Sequence, residues 1–185
     1  DQKQIKLDIC PEVIEGLNEL YADSSEPLIA KTTVENSLKK WELPFIARGA
    51  KLDLKLSYPS TCKPFSDVNQ NAMYWVNTYL TEPQFINSGF AITNFDGITG
   101  EIFSSDIVML GSEINKYFKR GASVDYVQNI VKRVFAHEMG HFLGLDHNFG
   151  EKDSDKFSIM SYNEVYELGN YDESAIFELY RDQVD

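Results

Sequence analysis

Hydrophobic and polar positions alternate in several short runs over the first part of the chain. Residues 51–58 carry a leucine at every second position between 52 and 56, which is the period of a strand with one buried face. Ala72–Val76 is apolar almost throughout and predicts a buried strand. Residues 89–94 and 101–110 flank an Asp-Gly pair, which is a strong hairpin signal. The pattern therefore predicts a sheet.

Two helices and a further strand are predicted nearer the N-terminus. Apolar residues at helical spacing follow Pro11, and proline suits the first turn of a helix. A strand is expected at residues 27–31. Thr32 and Glu35 have the spacing of a capping box, and the helix that they begin is expected to stop at Pro44.

The strongest helical pattern begins after Ser123, a residue that can cap a helix, and ends at Gly144. Its apolar stripe consists of Val127, Ile130, Val131, Val134 and Phe135. A last helix is predicted at residues 172–182, and its buried face is expected to hold Ala175, Ile176 and Leu179. Because the strands precede the main helices, we predict an α+β fold with a mixed sheet.

The composition suits one domain over residues 1–185, of which residues 1–31 are a candidate N-terminal extension. Lysine plus arginine number 17 against 29 acids, and the net charge of -12 argues against a nucleic-acid or anionic-membrane partner. No apolar run reaches the ~20 residues of a membrane span. The chain begins without Met, and we expect that a leader or propeptide has been removed.

The three histidines lie close together in the sequence. On a helix, His137 and His141 project from one face, and a turn at Gly144 can bring His147 back to them. Three imidazoles at this spacing suit Zn²⁺ and leave a fourth position for water. Glu138 is rotated by about 100° from His137, where a general base for that water belongs. The alternatives are a helix with a polar face and a metal site without catalysis.

This segment matches HExxHxxGxxH, and the chain therefore resembles the metzincin zinc endopeptidases. Met160, within SIMSY, is similar to the family's Met-turn methionine, which lies beneath the metal as an apolar floor; an ordinary core methionine is the alternative. The resemblance implies a metzincin-like zincin fold with a mixed twisted sheet, an antiparallel edge strand, an active-site helix, a Met-turn and a C-terminal helix. It also implies one catalytic Zn²⁺ bound by His137, His141 and His147, with Glu138 as the general base.

The resemblance extends to the matrixin-type metzincins over residues 71–180, with less specificity. The runs NAMYWVN, GFAIT and TGEIFSSDIVML look like the strand series of these enzymes, and residues 171–180 look like their C-terminal helix. In this alignment the edge strand binds an extended peptide through its backbone. The implied substrate-binding residues are Gly89, Phe90, Ala91 and Ile92, and an interior strand is the alternative.

The Met-turn sequence is closer to that of serralysins and astacins, in which the tyrosine two residues after the methionine can bind zinc. Tyr162 is therefore a candidate reversible ligand or oxyanion stabiliser, and a buried tyrosine with a satisfied hydroxyl is the alternative. Asn148 replaces the serine that usually follows the third histidine of vertebrate matrixins, and no histidine remains for their structural zinc. The subfamily stays open.

Together these features predict a metalloendopeptidase that hydrolyses peptide bonds with a zinc-activated water and a Glu general base. Its expected partner is an extended peptide or protein substrate, and we expect a monomer. The alternatives are a zinc hydrolase of a non-peptide bond and a non-catalytic zinc-containing binding module. The resemblance implies a secreted or periplasmic location.

Cys10 and Cys62 are the two cysteines of the chain. They could form one disulfide or remain free thiols, and the resemblance adds a third alternative, in which Cys10 binds the zinc as a latency switch.

Acidic residues surround the third histidine and a Gly-containing turn. Oxygen ligands suit Ca²⁺, which some metzincins use, so Ca²⁺ is a candidate second ion; solvated surface acids are the alternative. These acids are Asp96, Glu101, Asp146, Glu151, Asp153 and Asp155.

Overall fold

The computed structural model describes residues 4–22, 30–63, 70–77, 88–149 and 157–183. Its strands are β1 (Ile5–Ile9), β2 (Leu54–Ser57), β3 (Ala72–Val76), β4 (Gly89–Phe95) and β5 (Ile102–Leu110). Its α-helices are α1 (Pro11–Leu20), α2 (Ala30–Lys39), α3 (Leu43–Ile46), α4 (Gly111–Lys119), α5 (Val124–Phe142) and α6 (Asn170–Tyr180). Within these ranges no helix is long and apolar enough to cross a membrane.

The five strands form one sheet in the order β2-β1-β3-β5-β4. Neighbouring strands pair in parallel, except that β4 runs antiparallel to β5. The predicted hairpin is therefore present, and β4 has β5 as its single neighbour among the described strands. This mostly parallel sheet with its helices is a mixed α/β architecture, compatible with a metzincin-like fold.

The hairpin register determines which backbone groups of β4 face outward. Leu110 N–H donates to Ser88 O at 2.8 Å, and Gly89 lies opposite Met109. Bonded and non-bonded pairs alternate along an antiparallel ladder. Alternate residues of β4, beginning with Gly89 and including Ala91, therefore turn their N–H and C=O groups away from β5 and towards the open edge.

Helix α5 begins as predicted, because the Ser123 side chain accepts the Tyr126 N–H and caps the first turn. The helix packs against β4 and β5, and α2 packs against α5. Trp41 follows α2, is fully buried and donates from Nε1 to Ala136 O at 2.8 Å. The N-terminal helices thus support α5 directly.

A disulfide joins Cys10, just before α1, to Cys62, with their Cα atoms 5.6 Å apart. The bond fixes the start of α1 to the segment that follows β2. Of the three alternatives for these cysteines, the structure therefore has the disulfide. Neither sulfur is a free thiol that could bind zinc as a latency switch.

The N-terminal third differs from the sequence predictions in three places. Residues 30–31 are helical rather than extended, and residues 27–29 lie outside the described residues. Since α2 already contains Ala30, Thr32 lies inside the helix and does not cap it. Pro44 lies in the first turn of α3 instead of stopping a helix, because a first-turn N–H has no intrahelical partner to lose.

Besides α3, two elements were not predicted, and the buried face of α6 was predicted only in part. Residues 5–9, within the candidate N-terminal extension, form β1 between β2 and β3. Helix α4 follows β5 directly, with no turn residues to signal the change except Gly111. On α6, Ile176 is buried as expected, whereas Leu179 is 47% exposed because it borders the cleft described below.

Candidate metal centre

The three histidines come together at the C-terminal end of α5. His137 and His141 lie one helical turn apart, and the helix ends at Phe142. Gly144 has a positive φ of 97°, which glycine adopts without strain, and it turns the chain back. His147 Nε2 then lies 3.3 Å from His137 Nε2 and 3.2 Å from His141 Nε2.

Backbone carbonyls orient two of the three rings. His137 Nδ1 lies 2.7 Å from Ile159 O, and His141 Nδ1 lies 2.8 Å from Leu145 O. A carbonyl oxygen only accepts, so each Nδ1 carries the proton and each Nε2 presents a lone pair. Bare nitrogens that face one another at this distance repel unless a cation lies between them.

The two separations from His147 Nε2 fit zinc, and the ligand atoms of all three histidines lie within 4.8 Å of one another. Tetrahedral Zn²⁺ with bonds of ~2.0–2.1 Å to nitrogen places its ligand atoms about 3.3–3.4 Å apart. Among the residues that the structure describes, these histidines are the group of potential ligands that could hold a metal ion. They are three imidazole nitrogen donors, a set that zinc accepts readily.

Burial favours the neutral form of these ligands. It lowers the pKa of His137 to about 4, against a smaller opposite effect from the bond to Ile159. Burial also lowers the pKa of His141, and the bond to Leu145 opposes it. At neutral pH both rings therefore hold the lone pairs that metal binding requires.

Glu138 lies beside the histidines on α5 and is only 5% exposed. Burial raises the pKa of its carboxyl group to about 8, while the charge of Arg133 and the N–H of Ala91 oppose that rise. The Ala91 N–H is one of the outward-facing groups of β4. In the metal-free protein this carboxyl group is therefore able to hold or release a proton near neutral pH.

Met160 lies directly beneath the histidine helix. It is fully buried, and a Cβ added to Gly140 would lie 2.3 Å from Met160 Sδ and 2.9 Å from Trp41 Cζ2. Met160 O also accepts the Asn148 N–H at 3.0 Å, next to the third histidine. The methionine thus packs against α5 and ties the turn that carries it to the His147 segment.

Sequence reasoning missed Asp172, which fixes the turn around Met160. Asp172 is fully buried, and its Oδ1 accepts the Ser158 hydroxyl at 2.5 Å. Its Oδ2 accepts the Ile159 N–H at 2.7 Å and the Gly169 N–H at 2.8 Å. Because Ile159 also supplies the carbonyl that orients His137, Asp172 supports a histidine through one intervening residue. An Asp at the third position of a helix that follows a glycine was the signal available in the sequence.

Tyr162 is 61% exposed, so the alternative of a buried tyrosine with a satisfied hydroxyl is wrong. Its ring centroid lies 4.7 Å from that of His147 and 5.3 Å from that of Phe149. The side chain therefore borders the histidine cluster from the solvent side.

The hairpin closes over the same site. A Cβ on Gly89 would lie 2.9 Å from Val134 Cγ1, so β4 and α5 approach closely. Thr93 Oγ1 donates to His141 O at 3.3 Å. Of the four residues expected to bind substrate, Gly89 and Ala91 direct their backbone to the open edge, whereas Phe90 and Ile92 direct theirs to β5. A cleft of about 1200 Å³ is lined by this edge, the three histidines and Glu138.

The acids proposed for Ca²⁺ do not assemble into a site within the described residues. Asp146 is fully exposed and accepts the N–H of His147 at 2.7 Å. Asp96 Oδ1 accepts two N–H groups of its own turn, from Ile98 and Thr99. Residues Glu151, Asp153 and Asp155 lie outside the described residues.

A family model described as Met-zincin matches residues 119–152 of the chain. The matched segment contains the whole of α5, with Glu138, and all three histidines. No protein in a search of curated sequences matches the chain. The match supports a metzincin at a coarse level, and the clustered histidines fit a zinc metallopeptidase.

Proposed function

We propose that this protein is a zinc-dependent endopeptidase of the metzincin class. The observation that supports it most strongly is the convergence of three Nε2 atoms beside a buried Glu138, on the face of α5 that meets an open strand edge. A closed structural zinc site needs neither a buried carboxyl group nor a cleft of this size.

His137, His141 and His147 would hold the ion. Bound Zn²⁺ would supply Lewis acidity, which activates a water molecule and polarises a peptide carbonyl. Glu138 is the proton carrier of the site: it accepts the proton of the attacking water and returns it to the leaving amine. The low exposure of Glu138 supports this role, because burial raises the pKa of its carboxyl group in the metal-free protein.

The edge of β4 supplies the binding surface for the peptide. Backbone groups of Gly89 and Ala91 that face away from β5 can pair with an extended chain, which adds a strand to the sheet. The Ala91 N–H now bonds to the Glu138 carboxyl group, so an incoming peptide competes for the same donor. This exchange would leave Glu138 free to take up its proton.

Tyr162 and Met160 complete the proposal. We assign Tyr162 as a donor to the developing oxyanion or as a reversible ligand, since it is exposed and its ring lies against His147. Met160 serves as the apolar floor beneath the histidines.

We further propose that the protein acts as a monomer in a secreted or periplasmic setting, in keeping with its disulfide. Ca²⁺ remains a candidate second ion.

The test combines metal analysis with a peptidase assay. Wild type and Glu138→Gln are expected to bind one zinc each, and only wild type is expected to cleave casein or a quenched peptide, with chelator abolishing cleavage. Retained cleavage by Glu138→Gln would contradict the assignment. Zinc binding without proteolysis would favour a binding module, and hydrolysis of esters or amides alone would favour a non-peptide hydrolase.

A further inference from the structure

The cleft continues well beyond the metal centre, towards the tip of the β4–β5 hairpin. A Cβ on Gly144 would lie 3.0 Å from Ile102 Cδ1 and 3.4 Å from Leu179 Cδ2, so the end of α5, the hairpin and α6 meet there. The Tyr180 hydroxyl donates to Leu143 O at 3.0 Å and fixes α6 to this junction. The extension is therefore a built surface rather than a gap between loose segments.

Four apolar residues form this part of the cleft, which we call the hairpin arm: Phe95, Ile102, Phe103 and Leu179. Phe95 is 59% exposed and Phe103 is 63% exposed, although both line the cleft. Exposed aromatic rings gathered in one concave surface are typical of a binding site.

The rim of the hairpin arm is acidic. Glu101, just before β5, and Asp182, just after α6, line the cleft, and Asp146 lines it beside His147. Among the described residues that line the cleft, Lys6 is the one lysine or arginine, and its ammonium lies 3.4 Å from Asp8 Oδ1. Arg181, which is not among these lining residues, places its Nε 3.8 Å from Asp182 Oδ1. The field at the rim therefore favours a cationic ligand over an anionic one.

The strand register relates the arm to a bound peptide. Phe95 lies four residues beyond Ala91 on β4, which corresponds to ~13 Å along a strand. Antiparallel pairing is slightly more stable per residue than parallel pairing. A peptide antiparallel to β4 therefore has its N-terminal part at the hairpin arm, about three to five residues before the bond at Glu138.

We propose that the hairpin arm selects substrates by a large apolar residue, accompanied by lysine or arginine, upstream of the bond to be cleaved. The apolar side chain packs on Phe95 and Phe103, and the cation faces Asp182 and Glu101. This inference rests on the proposed peptidase function and adds the substrate class that the site prefers.

The test measures peptide binding as well as cleavage. Four fluorescent peptides share one central sequence and differ at two positions that lie three to five residues upstream of the bond to be cleaved. One position is phenylalanine or serine, and the other is lysine or glutamate. Fluorescence anisotropy gives their Kd on the metal-free wild type, and cleavage of quenched versions gives kcat/KM on the zinc-loaded protein. We expect the Phe–Lys peptide to bind and be cleaved about ten-fold better than the Ser–Glu peptide.

Matched variants locate the effect. Phe103→Ser should remove most of the phenylalanine preference, whereas Leu43→Ser, at an equally exposed apolar side chain outside the cleft, should not. Asp182→Lys should reverse the lysine preference. Glu178→Lys is its control, because Glu178 and Asp182 both pair with Arg181 but only Asp182 lines the cleft.

Each outcome decides the proposal. Equal binding of all four peptides, equal losses in the control variants, or a preference that appears only downstream of the cleaved bond would overturn it. If none of the peptides is cleaved but the Phe–Lys preference in Kd persists and Phe103→Ser removes it, the hairpin arm stands and the peptidase function fails.

Discussion

Replacement of Asp172 tests how the turn around Met160 supports the candidate metal centre. Asp172→Ala removes the acceptor of three bonds and leaves the Ile159 N–H and the Gly169 N–H without their partner. Bonds to a charged group contribute about 1.5–3 kcal/mol each, and unsatisfied buried donors cost ~1–3 kcal/mol. Because these contributions are not additive, we expect the free energy of unfolding to fall by about 3–5 kcal/mol.

Asp172→Asn should destabilise the protein much less than Asp172→Ala, because the amide group can keep the bonds to both N–H donors. Both N–H donors bond to Oδ2, which the amide oxygen can replace. The amide NH₂ group then faces Ser158 Oγ, and a hydroxyl that donates can rotate to accept. The charge is lost, and the buried Ser158 hydroxyl, whose oxygen already accepts the Met160 N–H, loses the acceptor of its proton, so we expect a cost of about 1–2 kcal/mol.

Urea unfolding of the metal-free variants measures both costs, and competition with a chromophoric chelator measures zinc affinity. Asp172→Ala should weaken zinc binding by about 10-fold or more, because Ile159 O orients His137. Glu178→Ala, an exposed carboxylate on the same helix, should cost less than about 0.5 kcal/mol. Equal costs for the Asn and Ala variants, or unchanged zinc affinity in Asp172→Ala, would refute this reasoning.

Three further predictions concern packing, the disulfide and pH. Gly140→Ala places a Cβ 2.3 Å from Met160 Sδ and should destabilise the protein by about 1–3 kcal/mol in urea unfolding, whereas a gain would show that the methionine moves freely. Cys62→Ala opens a loop closed across 52 residues and should cost about 4 kcal/mol in the same assay, with reduced wild type as the comparison. Burial raises the pKa of Tyr180 from 10.0 to about 12, so stability present below pH 10 is lost as the pH rises towards 12; Tyr180→Phe should flatten that part of the stability profile.

Local signals explain which parts of the site could be predicted from the sequence. The two histidines one turn apart, the Ser123 cap and the turn at Gly144 each depend on residues within a few positions of one another. Helix periodicity and glycine's conformational freedom are enough to derive them. The Asp-Gly pair correctly predicted the hairpin, although the turn extends from Asp96 to Glu101 and its positive φ falls on Gly100 rather than Gly97.

The remaining features depend on contacts between distant segments. Asp172 meets Ser158 and Ile159 only because the start of α6 lies against the turn around Met160, and no periodicity encodes that contact. The short strand β1 has no turn signal on its N-terminal side and gains its structure by pairing with two strands at once. Thr32 has a capping-box spacing, yet the helix already includes Ala30, so this local signal did not mark the start of the helix.

The place of β1 within the sheet has a consequence for synthesis of the chain. β1 is made early, but its partners are β2, where Ile5 pairs with Leu54, and β3, where Asp8 pairs with Ala72. Parallel pairing over such separations closes long loops and is slow to form. During translation β1 therefore remains unpaired and prone to aggregation until both β2 and β3 have left the ribosome.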